Sequence, residues 1–214
     1  MKLTYFNVRG LAETIRMLLA VAKVEYEDYR YPLEVIDMST HQMVKEEFDS
    51  DKAEGKLLKS LNKVPFLEVD GVVIPQSKTI ERYLAVKYNM MGSNDLESAR
   101  IDSICEYVRD FKDMYQKVRT SENKEDDMNT WFTVTLVERL SLLDNILDVD
   151  GYSVGSSTSL SDIVLYSFIT GFFDNKEAAI NATLATPKLR MIIERVDSIP
   201  EMHSWLASRP KTDF

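Results

Sequence analysis

Val64-Pro65-Phe66-Leu67-Glu68-Val69-Asp70-Gly71-Val72-Val73-Ile74-Pro75-Gln76-Ser77 is the stretch on which the fold turns. Two apolar runs, Pro65 to Val69 and Val72 to Ile74, flank Asp70-Gly71. That dipeptide suits the two-residue turn of a β-hairpin, because both positions tolerate positive φ. From Ser77 to Tyr88 the period changes, and Ile80, Tyr83, Leu84 and Lys87 fall at helical spacing. The segment therefore predicts strand, turn, strand, helix.

Toward the N-terminus, Leu3 to Asn7 reads as a first strand. From Ala12, Ile15, Leu18, Leu19 and Ala22 mark one face of a helix. Tyr26 to Tyr31 reads as a second strand, closed by Pro32. The polar stretch from Glu34 to Asn62 predicts a short helix flanked by loops. A βαβ unit joined to a ββα unit gives a mixed four-stranded sheet with helices packed on it. Toward the C-terminus, Met91-Gly92-Ser93-Asn94 reads as a linker and the strand signals stop. Ile101, Ile104, Cys105, Val108 and Phe111 form one helical stripe, and Leu136, Leu140, Leu143 and Leu147 another. Ser159-Leu160-Ser161-Asp162 reads as a capping box opening a further helix, with Asp at its fourth position. Pro187 and Pro200 sit where short helices begin. The expected organisation is an α+β domain at 1–88, a linker at 89–94 and an all-helical domain at 95–214.

Composition narrows the function classes. The 214 residues carry a formal net charge of -9, which repels phosphate backbones and argues against a nucleic-acid partner. No run of eighteen apolar residues occurs, so no membrane span is expected, and Met1 to Gly10 reads as a strand rather than a leader. The single cysteine, Cys105, excludes an intrachain disulfide and points to a reducing, cytoplasmic setting. The two histidines, His41 and His203, stand alone, without the spacing of a metal site or a catalytic triad.

Three places carry candidate chemistry. Val64-Pro65 enters a strand, and a cis bond there could leave the Val64 N–H and C=O open to an extended peptide ligand; an ordinary turn proline is the alternative. Gln76-Ser77 precedes a helix that lacks a closing capping box, so its N-terminus suits a carboxylate; simple capping by Ser77 is the alternative. Tyr5 lies in the first strand, followed by Arg9-Gly10, and its hydroxyl could donate to an anion; a packing role is the alternative.

Together these pieces resemble a known family. Tyr5-Phe6-Asn7-Val8-Arg9-Gly10-Leu11-Ala12-Glu13-Thr14-Ile15-Arg16 is similar to the N-terminus of cytosolic glutathione transferases, most closely the sigma class. Asn62 to Gly71, with Gln76-Ser77, resembles the glutathione-binding half of that family. The capping box at Ser159 to Asp162, Ile199-Pro200 through Trp205, and Arg209-Pro210 extend the likeness along the chain. The resemblance implies a thioredoxin-like first domain, a helical second domain, and glutathione as co-substrate. It implies that Tyr5 donates a hydrogen bond to the glutathione sulfur. It also implies that Val64 pairs with the cysteinyl backbone, that Pro65 is cis, and that Gln76 and Ser77 hold the γ-glutamyl carboxylate. Asp110 would reach the γ-glutamyl amine of a neighbouring subunit, which implies a homodimer. Phe48, Lys52 and Lys63 match positions near the glycine end of glutathione. Phe6, Leu11, Met114, Lys117, Val164 and Phe168 match a second-substrate pocket expected to lie between the domains, mostly apolar and so suited to a small hydrophobic electrophile; plain helix core is the alternative for Met114, Val164 and Phe168.

Some positions depart from the pattern. Phe48-x-x-x-Lys52 stands where sigma-class proteins often have Trp-x-x-x-Lys. Leu11 and Lys117 stand where vertebrate prostaglandin D synthases of this class have arginine and tryptophan. In the cluster Glu106, Arg109, Asp110 the arginine would oppose a divalent cation, so no metal is expected. The leading expectation is conjugation of glutathione to small apolar electrophiles in detoxification. The alternatives are a non-catalytic crystallin-like or ligand-carrier relative, a prostaglandin-type isomerase, and a thiol-disulfide oxidoreductase. The last lacks the cysteine it needs, since residues 1–88 contain none.

Overall fold

The computed structural model describes residues 1–37 and 42–212. His41 lies outside the described residues. The chain divides into two compact units, Met1–Leu84 with Ser204–Phe214, and Ala85–His203.

In the first unit, β1 (Lys2–Phe6), α1 (Glu13–Val21) and β2 (Glu27–Tyr31) form the βαβ half. After β3 (Glu34–Asp37), β4 (Gln42–Val44) and α2 (Glu46–Ala53) come β5 (Phe66–Val69), β6 (Val72–Pro75) and α3 (Ser77–Lys87). The sheet order is β2-β1-β5-β6. β1 runs parallel to β2 and antiparallel to β5, and β5 is antiparallel to β6. This is the thioredoxin-like arrangement expected from the sequence. The β5–β6 turn holds Asp70 at φ 51° and Gly71 at φ 81°, the two left-handed residues that a hairpin of this twist requires. On α1, Ile15, Leu18 and Leu19 are fully or almost fully buried. Each contributes about 1.5–3 kcal/mol relative to exposure.

Between Glu34 and Asn62 the structure holds more than the short helix expected. β3 and β4 form a separate two-stranded hairpin, with a register irregularity between Val35 and Asp37. Strands of four and three residues carry too few alternations to stand out against a polar background. Ile36, at 52% exposed, adds no buried face that the sequence could have advertised.

The second unit is helical. α4 (Asp95–Arg119) is capped by Asn94, whose side-chain oxygen accepts from the N–H groups of Leu96 at 3.1 Å and Glu97 at 3.0 Å. α5 (Lys124–Thr130), α6 (Leu136–Ile146), α7 (Leu160–Ser167), α8 (Lys176–Asn181) and α9 (Pro187–Asp197) follow. α7 is buried along its whole length and packs against α4 and α9. Its first turn is closed by Asp162, which accepts from the Ser159 N–H at 2.7 Å. The stripes read from the sequence, Ile101 to Phe111 and Leu136 to Leu147, are buried as expected. Two π-helical turns, Trp131–Thr135 and Phe168–Phe172, border an aromatic cluster of Tyr115, Trp131, Phe172 and Phe173.

α10 (Pro200–Ser208) ends the described helices. The segment from Ser204 groups with the first unit. The physical reason is a buried carboxylate. Glu13 on α1 is 6% exposed, accepts from Trp205 Nε1 at 3.0 Å and pairs with Arg209.

Candidate functional site

Two of the sheet ladders stop at one end, while β1 stays paired with β2 through Phe6. β1 pairs with β5 as far as Thr4 with Phe66, and β5 pairs with β6 as far as Phe66 with Pro75. The residues just past those last pairs are therefore Tyr5 on β1, Val64-Pro65 before β5, and Gln76-Ser77 after β6. Topology thus brings Tyr5, Val64, Gln76 and Ser77 to a common sheet end.

Tyr5 is 8% exposed. Its Oη accepts a hydrogen bond from the Leu11 N–H at 3.2 Å, in the 3-10 turn (Gly10–Ala12) that leads into α1. Among the described residues the hydroxyl has no acceptor for its own proton, so that proton is available to a ligand. Gly10 makes the approach feasible. Its φ is +40°, and a Cβ added there would lie 2.6 Å from Tyr5 Oη. Burial pushes the Tyr5 pKa above its ordinary value, while the Leu11 N–H and the Arg16 guanidinium pull the other way. The hydroxyl accordingly stays protonated at neutral pH, with a proton to donate.

Arg16 was not singled out from the sequence, yet it organises this corner. It is 0% exposed and donates to the Val8 carbonyl at 2.7 Å. It also pairs with Asp28 at 3.1 Å, joining α1 to β2. On a helical wheel it falls beside the Ile15-Leu18-Leu19 face, where an arginine reads as a solvated flank. The enclosed carbonyl of Val8 and the Asp28 carboxylate give it partners where it is buried.

The Val64–Pro65 bond is cis. Neither the N–H nor the C=O of Val64 is taken up by another backbone group among the described residues. Gln76 is exposed and sits at φ +73°. Its carbonyl accepts the first helical bond, from the Ile80 N–H at 3.0 Å, so Gln76 occupies the capping position of α3. The sequence reading had placed the cap at Ser77, which is instead the first helical residue. Lys52 and Lys63 are exposed, and neither pairs with a carboxylate among the described residues. Phe48 is enclosed by packing. It is 7% exposed and lies in a core cluster with Tyr31, Leu57 and Phe66, its ring 5.2 Å from that of Phe6 and 5.7 Å from that of Tyr31. An enclosed phenyl ring offers nothing to a carboxylate.

The positions expected at a second-substrate pocket belong to both units. Leu11 is 57% exposed, and Phe6 is half-buried against the Phe48 cluster. Met114 and Lys117 line a hollow of about 350 Å³ in the helical unit, with Trp131 and Thr135. Val164 and Phe168 are 2% and 0% exposed, and Phe168 is enclosed by the rings of Phe111, Phe172 and Phe173. A larger hollow of about 740 Å³ in the first unit, lined by Lys2, Tyr29, Tyr31 and Lys59 among others, contains none of the expected site residues.

Asp110 is exposed on α4. Beside it Arg109 pairs with Glu106 at 2.9 Å. Among the described residues no group of three His, Cys, Asp or Glu side chains is gathered in a way that could hold a metal ion. Among the described residues no helix is long and apolar enough to cross a membrane.

Comparison with known proteins gives consistent matches. Residues 1–86 match the family model for the glutathione S-transferase N-terminal domain, and residues 109–209 match that for the glutathione S-transferase C-terminal domain. The chain is 34% identical over 214 residues to hematopoietic prostaglandin D synthase from Gallus gallus, covering 99% of this chain and 97% of that protein. It is 31% identical over 222 residues to glutathione S-transferase 1 from Ascaris suum, covering 100% and 98%. Among solved structures, monomeric Na-GST-3, a glutathione S-transferase from the hookworm Necator americanus, aligns with a TM-score of 0.81 at 29% identity, covering 100% of this chain and 98% of the other.

Proposed function

The chain belongs to the glutathione S-transferase family, and we propose that it joins the glutathione sulfur to small apolar electrophiles, with the Tyr5 hydroxyl holding that sulfur as thiolate. The observation that carries the reading is the Tyr5 hydroxyl itself. It is fixed by the Leu11 N–H, and its own proton has no acceptor among the described residues. A free cysteinyl thiol has a pKa of about 8.5. A hydrogen bond to a charged group contributes roughly 1.5–3 kcal/mol, enough to lower that value by about one to two units. The thiol proton passes to solvent and the thiolate attacks the electrophilic carbon. A new C–S bond forms as the leaving group departs, or as electron density moves onto an acceptor oxygen.

The remaining roles follow the sheet end. The free N–H and C=O of Val64 suit the cysteinyl backbone, with Pro65 shaping the approach. The open start of α3 at Gln76 and Ser77 suits the γ-glutamyl carboxylate, because unpaired N–H groups and the helix dipole favour an anion there. Lys52 and Lys63 are the cations for the glycyl carboxylate. The exposed Asp110 would meet the γ-glutamyl amine bound to a second copy, which makes the working form a homodimer. Sigma class and a cytoplasmic setting complete the reading, with no metal required.

The avian relative's name raises prostaglandin isomerisation as a second reading. Leu11 and Lys117, standing where the prostaglandin synthases resembled here have arginine and tryptophan, favour general conjugation instead. A purified sample assayed with glutathione and a panel of aryl halides, enones and a prostaglandin endoperoxide separates the two. Turnover of the aryl halides or enones is expected. Turnover of the endoperoxide alone, or glutathione binding with no turnover at all, would overturn the proposal in favour of an isomerase or a carrier.

A further inference from the structure

We propose that Trp205 and Arg209, near the far end of the chain, are positioning residues for the Tyr5 hydroxyl and act through Glu13 and Arg16. The inference rests on the role given to Tyr5 above and adds a control on it that the motif residues do not supply.

The Leu11 N–H that fixes Tyr5 lies two residues before Glu13. The Glu13 N–H bonds to the Gly10 carbonyl, so the 3-10 turn and the first turn of α1 are one continuous helical backbone. A displacement of Glu13 is therefore a displacement of the Leu11 N–H. Glu13 is nearly buried and takes a hydrogen bond from Trp205 Nε1 at 3.0 Å together with an ion pair from Arg209. Those partners are 192 and 196 residues away in sequence. On its other side Glu13 lies 3.9 Å from Arg16 Nη1. The same nitrogen donates to the Val8 carbonyl at 2.7 Å and reaches the Arg9 carbonyl at 3.5 Å. Arg16 thus holds the backbone entering the turn, and Glu13 holds the backbone leaving it. Gly10 and Leu11 lie between the two.

The chemistry favours a geometric control over mere packing. A buried carboxylate is costly unless paired and hydrogen-bonded. Losing either donor from the C-terminal segment forces Glu13 to seek water or to draw Arg16 toward it and away from the Val8 carbonyl. The Leu11 to Tyr5 hydrogen bond, at 3.2 Å, already lies at the long end of the range for N–H···O bonds, so a small shift weakens it sharply. The Tyr5 hydroxyl then loses its fixed acceptor geometry and its aim.

The test uses the full chain carrying Trp205→Phe, which keeps most of the ring and loses the N–H, and Arg209→Met, which keeps the stem and loses the charge. Three readouts are needed: ultraviolet titration of bound glutathione thiolate, kcat and KM for glutathione, and thermal unfolding. Both variants are expected to raise the pH midpoint of the bound thiol by about half a unit to one unit, a loss of roughly three- to ten-fold in thiolate below that midpoint. KM for glutathione should change less than about two-fold, since backbone and α3 contacts persist. Arg209→Lys should recover part of the shift, because it restores the charge without the planar fork. An unchanged midpoint in both variants, even with a lowered unfolding temperature, would reduce Trp205 and Arg209 to structural residues and overturn the inference. If Arg209→Met does not fold, Trp205→Phe decides alone. A wild-type protein that shows no thiolate at all would instead overturn the role of Tyr5 itself.

Discussion

Tyr5, Gly10 and Arg16 are coupled by space rather than by sequence adjacency. The hydroxyl of Tyr5 occupies the volume that a side chain at position 10 would need, and Gly10 also adopts a left-handed φ of +40°. Gly10→Ala is expected to destabilise by about 1–2 kcal/mol from the backbone conformation alone. It should also cut conjugation at least ten-fold by displacing the hydroxyl; denaturant unfolding and initial rates measure both effects. Arg16→Met leaves the buried Val8 carbonyl without its donor and leaves Asp28 with Arg30 alone. Breaking such a pair costs about 3–5 kcal/mol, read as a lowered denaturant midpoint. The pH response follows from the direction of the Tyr5 shift. Burial raises its pKa, so the neutral, donating form persists from acid pH through the neutral range. Any rise of rate between about pH 6 and pH 8 therefore reports the thiol of glutathione, not Tyr5, and the rate should level off once the bound thiol is ionised. A rate that rises with two separate ionisations in that window would count against a neutral Tyr5.

At the scale of elements, the sheet end is the organising feature. Its legibility came from three local signals: the Asp70-Gly71 turn, the change to helical spacing after Ser77, and the first strand at Leu3 to Asn7. Each signal is carried by adjacent residues, so one sequence suffices to read it. The β3–β4 hairpin was not legible, because its strands are short, exposed and irregular in register. The cap of α3 was misplaced by one residue. Serine is the usual capping type, and nothing local announces that Gln76 takes a left-handed φ. The enclosure of Phe48 and Phe168 by neighbouring rings was not legible either, because a motif fixes the residue and not the direction of its side chain. The helical unit offers a clean test of a capping contribution. Asn94→Ala removes the acceptor for two N–H groups of α4 and should cost about 1 kcal/mol, visible as a lower unfolding temperature with unchanged glutathione affinity.

At the scale of the whole molecule, the two ends of the chain are joined, since Trp205 and Arg209 close on Glu13. That contact was illegible from the sequence. The residues themselves were noticed, but no periodicity links positions almost two hundred apart. Assembly is the other property of this scale. A homodimer predicts light scattering at twice the mass of one chain at micromolar concentration. It also predicts a several-fold rise in KM for glutathione in Asp110→Ala. The hookworm protein compared above is monomeric, so a single-chain mass with unaltered KM is the outcome that would assign Asp110 to solvent. The claim on which the rest depends is that one hydroxyl, set by the fold of the first unit, ionises glutathione. It is tested most directly by ultraviolet titration of thiolate on saturated wild-type protein and on Tyr5→Phe, which keeps the ring and removes only the donor. The wild-type midpoint should lie about one to two units below that of free glutathione, and that of Tyr5→Phe should return toward the free value with glutathione still bound. Equal midpoints and equal conjugation rates in the two proteins would leave Tyr5 a packing residue of β1.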